Sequence, residues 1–562
     1  MRRILQLPWR ARPEVVGLVL SGAGARSSFQ IGALRYLYDE VGITPQVISG
    51  TSAGAILGSV LAQSGDHAGQ RRALAHLERL WLGMQDDSDM FTELDWYARL
   101  RVRGPGLMNA FTRRERRQGP LGRSFTRAAS LTSQRLGLGR DEPGVGPADP
   151  ATSTVAGAAS PAAGAASPAT GATSPAAGAT SPGRARTAAP VGGGARAAVA
   201  PEEPAAGSDW NPISVVDVIS AIREVGRARP DLEIIVRGAE HARSMYRPGP
   251  IVDRLLDPEV FDPARVATSG VTLRVAVVGL ESGELRYVTE SGRLVDRENE
   301  PVPDEPVVDL AEAIRASCAI PAVFPPVRLG SEHYVDGGVR ETLPTEVAVE
   351  HLGATKVYAV VAPPAGVPRQ ESYAQKDMLS IVLRSTAGIM SDEELRDEVE
   401  YARAVGAVVI TPDLDVHDAL TIDPGLTAIA MAYGWLRAAE VVEGASPAEE
   451  QLTRDIIQLR RDAWALEDAL LAPREADDDV ARQRVPWSLG TVRRPEPVAA
   501  EPDLTELAGL KHRLRAMVSQ ASRRPPGAEE WWRSFEAHPF EITRTPDWTG
   551  GAAREGSSRV GR

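Results

Sequence analysis

The chain has 562 residues and a formal net charge of −12, with 43% hydrophobic and 25% charged residues. That length leaves room for several domains and at least one large core, and the negative balance excludes nucleic acid as an overall electrostatic partner. Cys318 is the sole cysteine, which excludes an intrachain disulfide, and only Lys356, Lys376 and Lys511 are lysines, so arginine carries nearly all the positive charge.

Met1-Arg2-Arg3 is basic, but Arg10, Arg12 and Glu14 break the stretch before any long apolar run, so no secretory signal is read there. No apolar run has the length of a transmembrane helix. The expectation is a cytoplasmic protein whose membrane contact, where it occurs, is peripheral.

Val15-Val16-Gly17-Leu18-Val19-Leu20 reads as a first buried strand. It runs into the small-residue stretch Gly22-Ala23-Gly24-Ala25-Arg26-Ser27, followed by a helix apolar at Phe29, Ile31, Leu34 and Leu37. A loop of small residues between strand and helix turns backbone N–H groups outward and forms a nest for an anion. A dinucleotide loop competes, since Gly22-x-Gly24-x-x-Ser27 nearly fits that fingerprint, but no acidic residue ends a clear second strand at the expected offset.

The next strand, Gln46-Val47-Ile48-Ser49, delivers Gly50-Thr51-Ser52-Ala53-Gly54, and Ala55 to Ala62 reads as a helix. Gly-x-Ser-x-Gly between strand and helix is the pattern of a nucleophile elbow. It makes Ser52 a candidate nucleophile for acyl transfer, with Gly50 and Gly54 permitting the close strand–helix approach. The competing reading is a plain glycine-rich turn.

Leu80-Trp81-Leu82, Met90-Phe91, Trp96-Tyr97, Leu107-Met108 and Phe111 precede arginines at 113, 114, 116, 117 and 123. This mixture suits either a lid settling on anionic lipid or a helix packed on the core with a basic edge. From Ala156 a seven-residue unit recurs, with Ser-Pro at 160, 167, 174 and 181 and no large apolar side chain. The stretch 137–208 is therefore read as a disordered Ala/Gly/Ser/Pro linker.

Ala316 to Pro326 precedes Tyr334-Val335-Asp336-Gly337-Gly338. Asp336 is placed where a short strand ends in a Gly-Gly turn, with an ordinary turn as the alternative. Ser446-Pro447-Ala448-Glu449 is a capping box opening a helix through Leu452, Ile456, Leu459, Trp464 and Leu470; Asp503-Leu504-Thr505-Glu506 opens another. Trp531-Trp532 and Phe535 are expected to dock on the catalytic domain.

Taken together these motifs resemble the patatin-like phospholipases, serine acylhydrolases with a Ser–Asp dyad. The match runs over about 14–130 and 209–442. Gly22 to Arg26 resembles the family's oxyanion loop with its basic residue, Gly50 to Gly54 its elbow, and Asp336-Gly337-Gly338 its aspartate motif. Thr272 to Glu284 resembles a core strand and turn, and Thr345 to Val361 the helix and strand after the aspartate. Ala23 stands where the family usually has a second glycine, Ser27 where it usually has glycine, and Glu341-Thr342 replaces the frequent acidic-Asn pair.

The resemblance implies an α/β fold: a central, mostly parallel sheet flanked by helices, with a disordered insertion and a helical C-terminal extension. Ser52 and Asp336 are expected to meet at the carboxyl ends of neighbouring strands. The expected layout is a catalytic domain over 14–136 and 209–444, interrupted by the linker and followed by an extension over 445–562. The expected substrate is a lipid ester, hydrolysed by Ser52 with Asp336 as base and with Gly22, Ala23, Gly24, Ala25 and Arg26 at the oxyanion. Neither a metal nor a cofactor is expected. A Ser–Asp–His triad using His417 or His512, a non-catalytic lipid- or partner-binding scaffold, and an acyltransferase are the alternatives.

Overall fold

The computed structural model describes residues 14–99, 242–367, 369, 372, 381–382, 384–471 and 504–536. The stretch read as a linker, the arginines at 113–123, and Leu107, Met108 and Phe111 lie outside the described residues.

Five parallel strands form the centre of the sheet. They are β1 (Val16–Leu20), β2 (Val47–Thr51), β5 (Thr272–Gly279), β10 (Lys356–Val360) and β11 (Val408–Ile410), in the order β11-β10-β1-β2-β5. A two-stranded ribbon of β3 (Phe91–Glu93) and β4 (Tyr246–Pro248) stands apart from the sheet. Beyond β5 the sheet turns antiparallel through β6 (Leu285–Thr289) and β7 (Leu294–Val295). A hairpin of β8 (Val327–Leu329) and β9 (Glu332–Asp336) also joins β5 antiparallel, through Val277 opposite Asp336.

Strands buried on both faces read as unbroken apolar runs, as β1 does. Within it Leu18 and Leu20 face one core and Val19 the other. The larger core lies under α1 (Ser27–Tyr36), α2 (Ala53–Leu61), α3 (His67–Leu82), α4 (Leu310–Ser317) and α6 (Pro424–Glu443). The opposite face is covered by α5 (Ser391–Ala404), with Leu395, Val399 and Ala402 inward, and by a helical turn at Val347–His351. The C-terminal pair α7 (Pro447–Leu471) and α8 (Leu504–Gln520) closes a further cluster of Ile456, Leu459, Leu514, Val518 and Trp531 that packs on Ala432 of α6.

The capping box works as read: Glu449 Oε2 accepts from the Ser446 N–H at 2.9 Å. Trp531 is buried among the helices of the C-terminal extension itself, against Ile456, Leu459, Leu514 and Val518, and Trp532 and Phe535 are half-buried, which differs from the expected docking on the catalytic domain. The described part of the aromatic stretch packs on the body. Trp81 is 2% exposed, and Phe91, Trp96 and Tyr97 gather with Tyr246 and Val323. Among the described residues no helix is long and apolar enough to cross a membrane.

Candidate active site

The turn after β2 forces Ser52 to φ 55°, ψ −126°, a region side chains rarely adopt, and Ser52 then caps α2. The glycines on either side leave room for that turn. A Cβ at Gly50 would lie 2.7 Å from the Gly54 carbonyl, and one at Gly54 would lie 2.5 Å from the Leu20 carbonyl oxygen. Ser52 therefore stands at a helix N-terminus, where the free N–H groups and the helix dipole favour negative charge.

Asp336 ends β9. Its Oδ1 accepts from the Gly338 N–H at 2.8 Å, and its own N–H donates to the Ala319 carbonyl at 3.1 Å. The Ser52 hydroxyl lies within hydrogen-bonding reach of its carboxylate. Both residues are 6% exposed. Burial pushes the Asp336 carboxyl up to about 6, against the opposing pull of the bonds from Ser52 and Gly338. A carboxylate so placed is a stronger base than a solvated one, and it still ionises near neutrality.

The meeting differs from the expected side-by-side pairing. β2 pairs with β5 up to Thr51 opposite Ala276, and β9 takes over at Val277 opposite Asp336. β6 fills the other edge of β5 at Val277 and Val278, so β2 and β9 share one edge and approach end to end. The antiparallel sense of β9 is the reason. It brings the carboxyl terminus of β9 down onto the carboxyl terminus of β2.

The loop after β1 is braced from several directions. The Gly22 N–H donates to the Thr342 carbonyl (3.0 Å), the Ala25 N–H to the Ala419 carbonyl (2.8 Å) and the Arg26 N–H to the Ala23 carbonyl (3.2 Å). Gln30 Nε2 donates to the carbonyls of Ser21 (3.0 Å) and Val360 (3.1 Å). The N–H groups of Ala23 and Gly24 have no acceptor among the described residues, and these two narrow the five-residue expectation to a pair of free donors. Gly24 is at φ +55°, and a Cβ there would lie 2.4 Å from the Ala419 carbonyl oxygen. Arg26 is committed to the body of the fold. Its guanidinium grips Asp415 bidentately at 2.9 and 2.5 Å and fixes the loop.

The departures from the family pattern are accommodated locally. Ala23 sits at φ −146°, which needs no glycine. Ser27 opens α1, its Oγ donating to the Gly24 carbonyl (2.7 Å) and accepting from Trp81 Nε1 (2.9 Å). Glu341 hydrogen-bonds the Tyr287 hydroxyl, and its carbonyl accepts from Thr51 Oγ1 at 3.0 Å.

Sequence reasoning missed two neighbours of Ser52. Ser317 Oγ accepts from the Ser52 N–H at 3.0 Å. Cys318, read as a small core residue, packs against the main core and also has its thiol within hydrogen-bonding reach of Ser52; burial and the Asp336 charge push that thiol up. The only signal for either was position within the run leading to Asp336.

Among the described residues, His417, His512 and His333 stand elsewhere. The His417 ring is 2% exposed, with Nε2 on Ser28 Oγ (3.1 Å) and Nδ1 on the Asp418 carbonyl (3.0 Å), so both ring nitrogens are committed. His512 is exposed on α8. His333 pairs with Glu281 at 2.7 Å.

The sequence profile described as patatin-like phospholipase matches residues 18–185 and 231–349, together half of the chain. No curated protein matches. Among solved structures, VipD from Legionella pneumophila is similar at 13% identity and a TM-score of 0.27, over 93% of this chain and 83% of that one. Full-length ExoU of the Pseudomonas aeruginosa type III secretion system, solved in complex with SpcU, is similar at 15% identity and a TM-score of 0.22, over 96% of this chain and 72% of that one. At those scores neither similarity bears on the reading of the site.

Proposed function

This chain belongs to the patatin-like phospholipase family, and from that premise we propose that it is a serine acyl hydrolase of lipids, cleaving phospholipid or lysophospholipid esters with Ser52 as nucleophile and Asp336 as its base. The observation that carries the reading is the approach of the buried Ser52 and Asp336 side chains at the facing ends of β2 and β9, beside the unpaired N–H groups of the β1 loop.

In the proposed cycle Asp336 takes the Ser52 hydroxyl proton as Oγ attacks the ester carbonyl. The oxyanion forms against the N–H groups of Ala23 and Gly24, at the N-terminus of α2. Collapse returns the proton to the departing alcohol and leaves the acyl group on Ser52. Water then enters, Asp336 takes its proton, and the acyl–serine bond breaks to release the fatty acid and the serine hydroxyl. An ester suits a two-residue site because its alkoxide needs less acid assistance than an amine.

The scaffold alternative drew its weight from Ala23 and Ser27; Ala23 adopts a negative φ that needs no glycine, and Ser27 opens α1 with its Oγ on the Gly24 carbonyl, which supports the hydrolase reading over the scaffold. Peripheral membrane contact belongs to the proposal as the route by which a lipid reaches the cleft. The test is fatty-acid release from phospholipid and lysophospholipid vesicles. The wild-type chain is expected to release it and Ser52→Ala to release none; equal release from both sinks the reading.

A further inference from the structure

Resting on the lipid-hydrolase reading above, we propose that Glu398 is a positioning residue for the site: its carboxylate clamps the 341–344 loop, and the loop holds both the β1 loop and the end of β2.

Glu398 lies on α5, outside the residues matched by the family profile. Its Oε1 accepts from the Thr342 N–H at 3.0 Å and its Oε2 from the Leu343 N–H at 2.8 Å. The carbonyls of the same two peptide units point the other way. The Glu341 carbonyl accepts from Thr51 Oγ1 at 3.0 Å, and the Thr342 carbonyl from the Gly22 N–H at 3.0 Å. The Pro344 carbonyl adds a bond from Ser49 Oγ at 2.7 Å.

A peptide unit is planar, so its N–H and C=O turn together. Glu398 therefore sets the tilt of two successive planes. One plane's carbonyl is held by the residue before the nucleophile and the other's by the first residue of the oxyanion loop. Once ionised, acceptors on the N–H side also polarise the carbonyls and strengthen the bonds beyond them.

Only a carboxylate presents two acceptors at that spacing. Gln keeps one and turns an NH2 against the second N–H, and Asp falls short by a methylene. The alternative is a solvated acidic face, since Asp392, Glu393, Glu394, Asp397 and Glu400 share the helix. Yet Glu398 is half-buried where Asp397 and Glu400 are exposed. Burial and then Glu341 push its carboxyl up to about 8, against the pull of the Leu343 and Thr342 N–H groups, so the two-acceptor clamp is fully charged only above that pH and the kinetics are compared there.

The experiment uses the full chain with Glu398→Gln, Glu398→Asp and the control Tyr401→Phe, which removes a bond from the same helix to Glu350. Three readouts are taken: kcat and KM on phospholipid vesicles, the melting temperature, and hydrogen–deuterium exchange of the peptide spanning Gly22 to Arg26. The expectation for Glu398→Gln is a kcat loss of about tenfold with KM within about twofold, and faster exchange at Gly22. Glu398→Asp should fall between it and wild type, and Tyr401→Phe should keep wild-type kcat and exchange.

Unchanged kcat and exchange in folded Glu398→Gln overturn the proposal, as does an equal kcat loss in Tyr401→Phe. Failure of both Glu398 variants to fold overturns it too, by making the carboxylate a purely structural group. Faster exchange in a chain whose wild type hydrolyses no lipid leaves the positioning intact and removes the hydrolase reading instead.

Discussion

Ser52 and Asp336 sit at the facing tips of two strands that occupy one edge of β5, where pairing passes from Thr51–Ala276 to Asp336–Val277 between adjacent positions of β5. The approach of hydroxyl and carboxylate is thus set by strand register, on elements that hold the two residues from both sides.

Asp336 is expected to show its role as a base in the pH profile. With its carboxyl at about 6, kcat/KM should rise as pH passes upward through that value. The same shift bears on stability. The folded value lies above the unfolded one, so the stability associated with the bound proton is full below about pH 4 and is lost as pH rises through about 6. Asp336→Asn should therefore abolish hydrolysis while raising stability at pH 7–8 by about 2–3 kcal/mol, with little gain at pH 4. Urea denaturation at the two pH values checks the sign.

His417→Ala separates the dyad from a histidine triad. Its ring is committed to Ser28 and the Asp418 carbonyl, so hydrolysis should persist in the folded variant. Stability should fall by about 1–3 kcal/mol, because the buried Ser28 hydroxyl and the Asp418 carbonyl lose a partner. A loss of turnover of a thousandfold or more without unfolding contradicts the dyad.

Gly22→Ala tests the space above the nucleophile. A Cβ there would meet only ordinary contacts, 3.6 Å to the Ser52 Cβ and 3.7 Å to the Thr342 Cγ2. The fold should tolerate it, with a stability change within about 0.5 kcal/mol. The methyl would occupy the cleft, so KM should rise and fluorophosphonate labelling should slow.

Lys511→Met probes how the C-terminal extension is held. Lys511 is 1% exposed and pairs with Glu467, which is 0% exposed, and it also donates to the Trp531 carbonyl at 3.1 Å. Removing the ammonium takes the cationic partner from the buried Glu467 carboxylate, which keeps the Glu536 N–H at 2.9 Å, at a cost of about 3–5 kcal/mol. The melting temperature should drop, while folded protein at low temperature should keep wild-type kcat.

The parts of the site readable from sequence were those whose constraints are local. The glycines flanking Ser52 answer to a turn five residues long, and the Gly-Gly after Asp336 answers to the end of one strand. Ser317 meets Ser52 across 265 residues, and nothing in Ala316 to Pro326 marks its hydroxyl for that task. Glu398 hides in an acidic helix that reads as a solvated face. The end-to-end meeting of β2 and β9 depends on the hairpin at Val327–Asp336, which periodicity alone does not orient. Fold class was legible because β1 is apolar throughout and β2, β5 and β10 are mostly apolar, as strands covered on both faces tend to be.

The most direct test is the site of covalent labelling by a fluorophosphonate, read by peptide mass spectrometry of the whole chain. The expected result is a single adduct on Ser52, absent in Ser52→Ala and formed at least tenfold more slowly in Asp336→Asn. Equal labelling of wild type and Ser52→Ala, or an undiminished rate in Asp336→Asn, contradicts the pairing of these two residues as nucleophile and base.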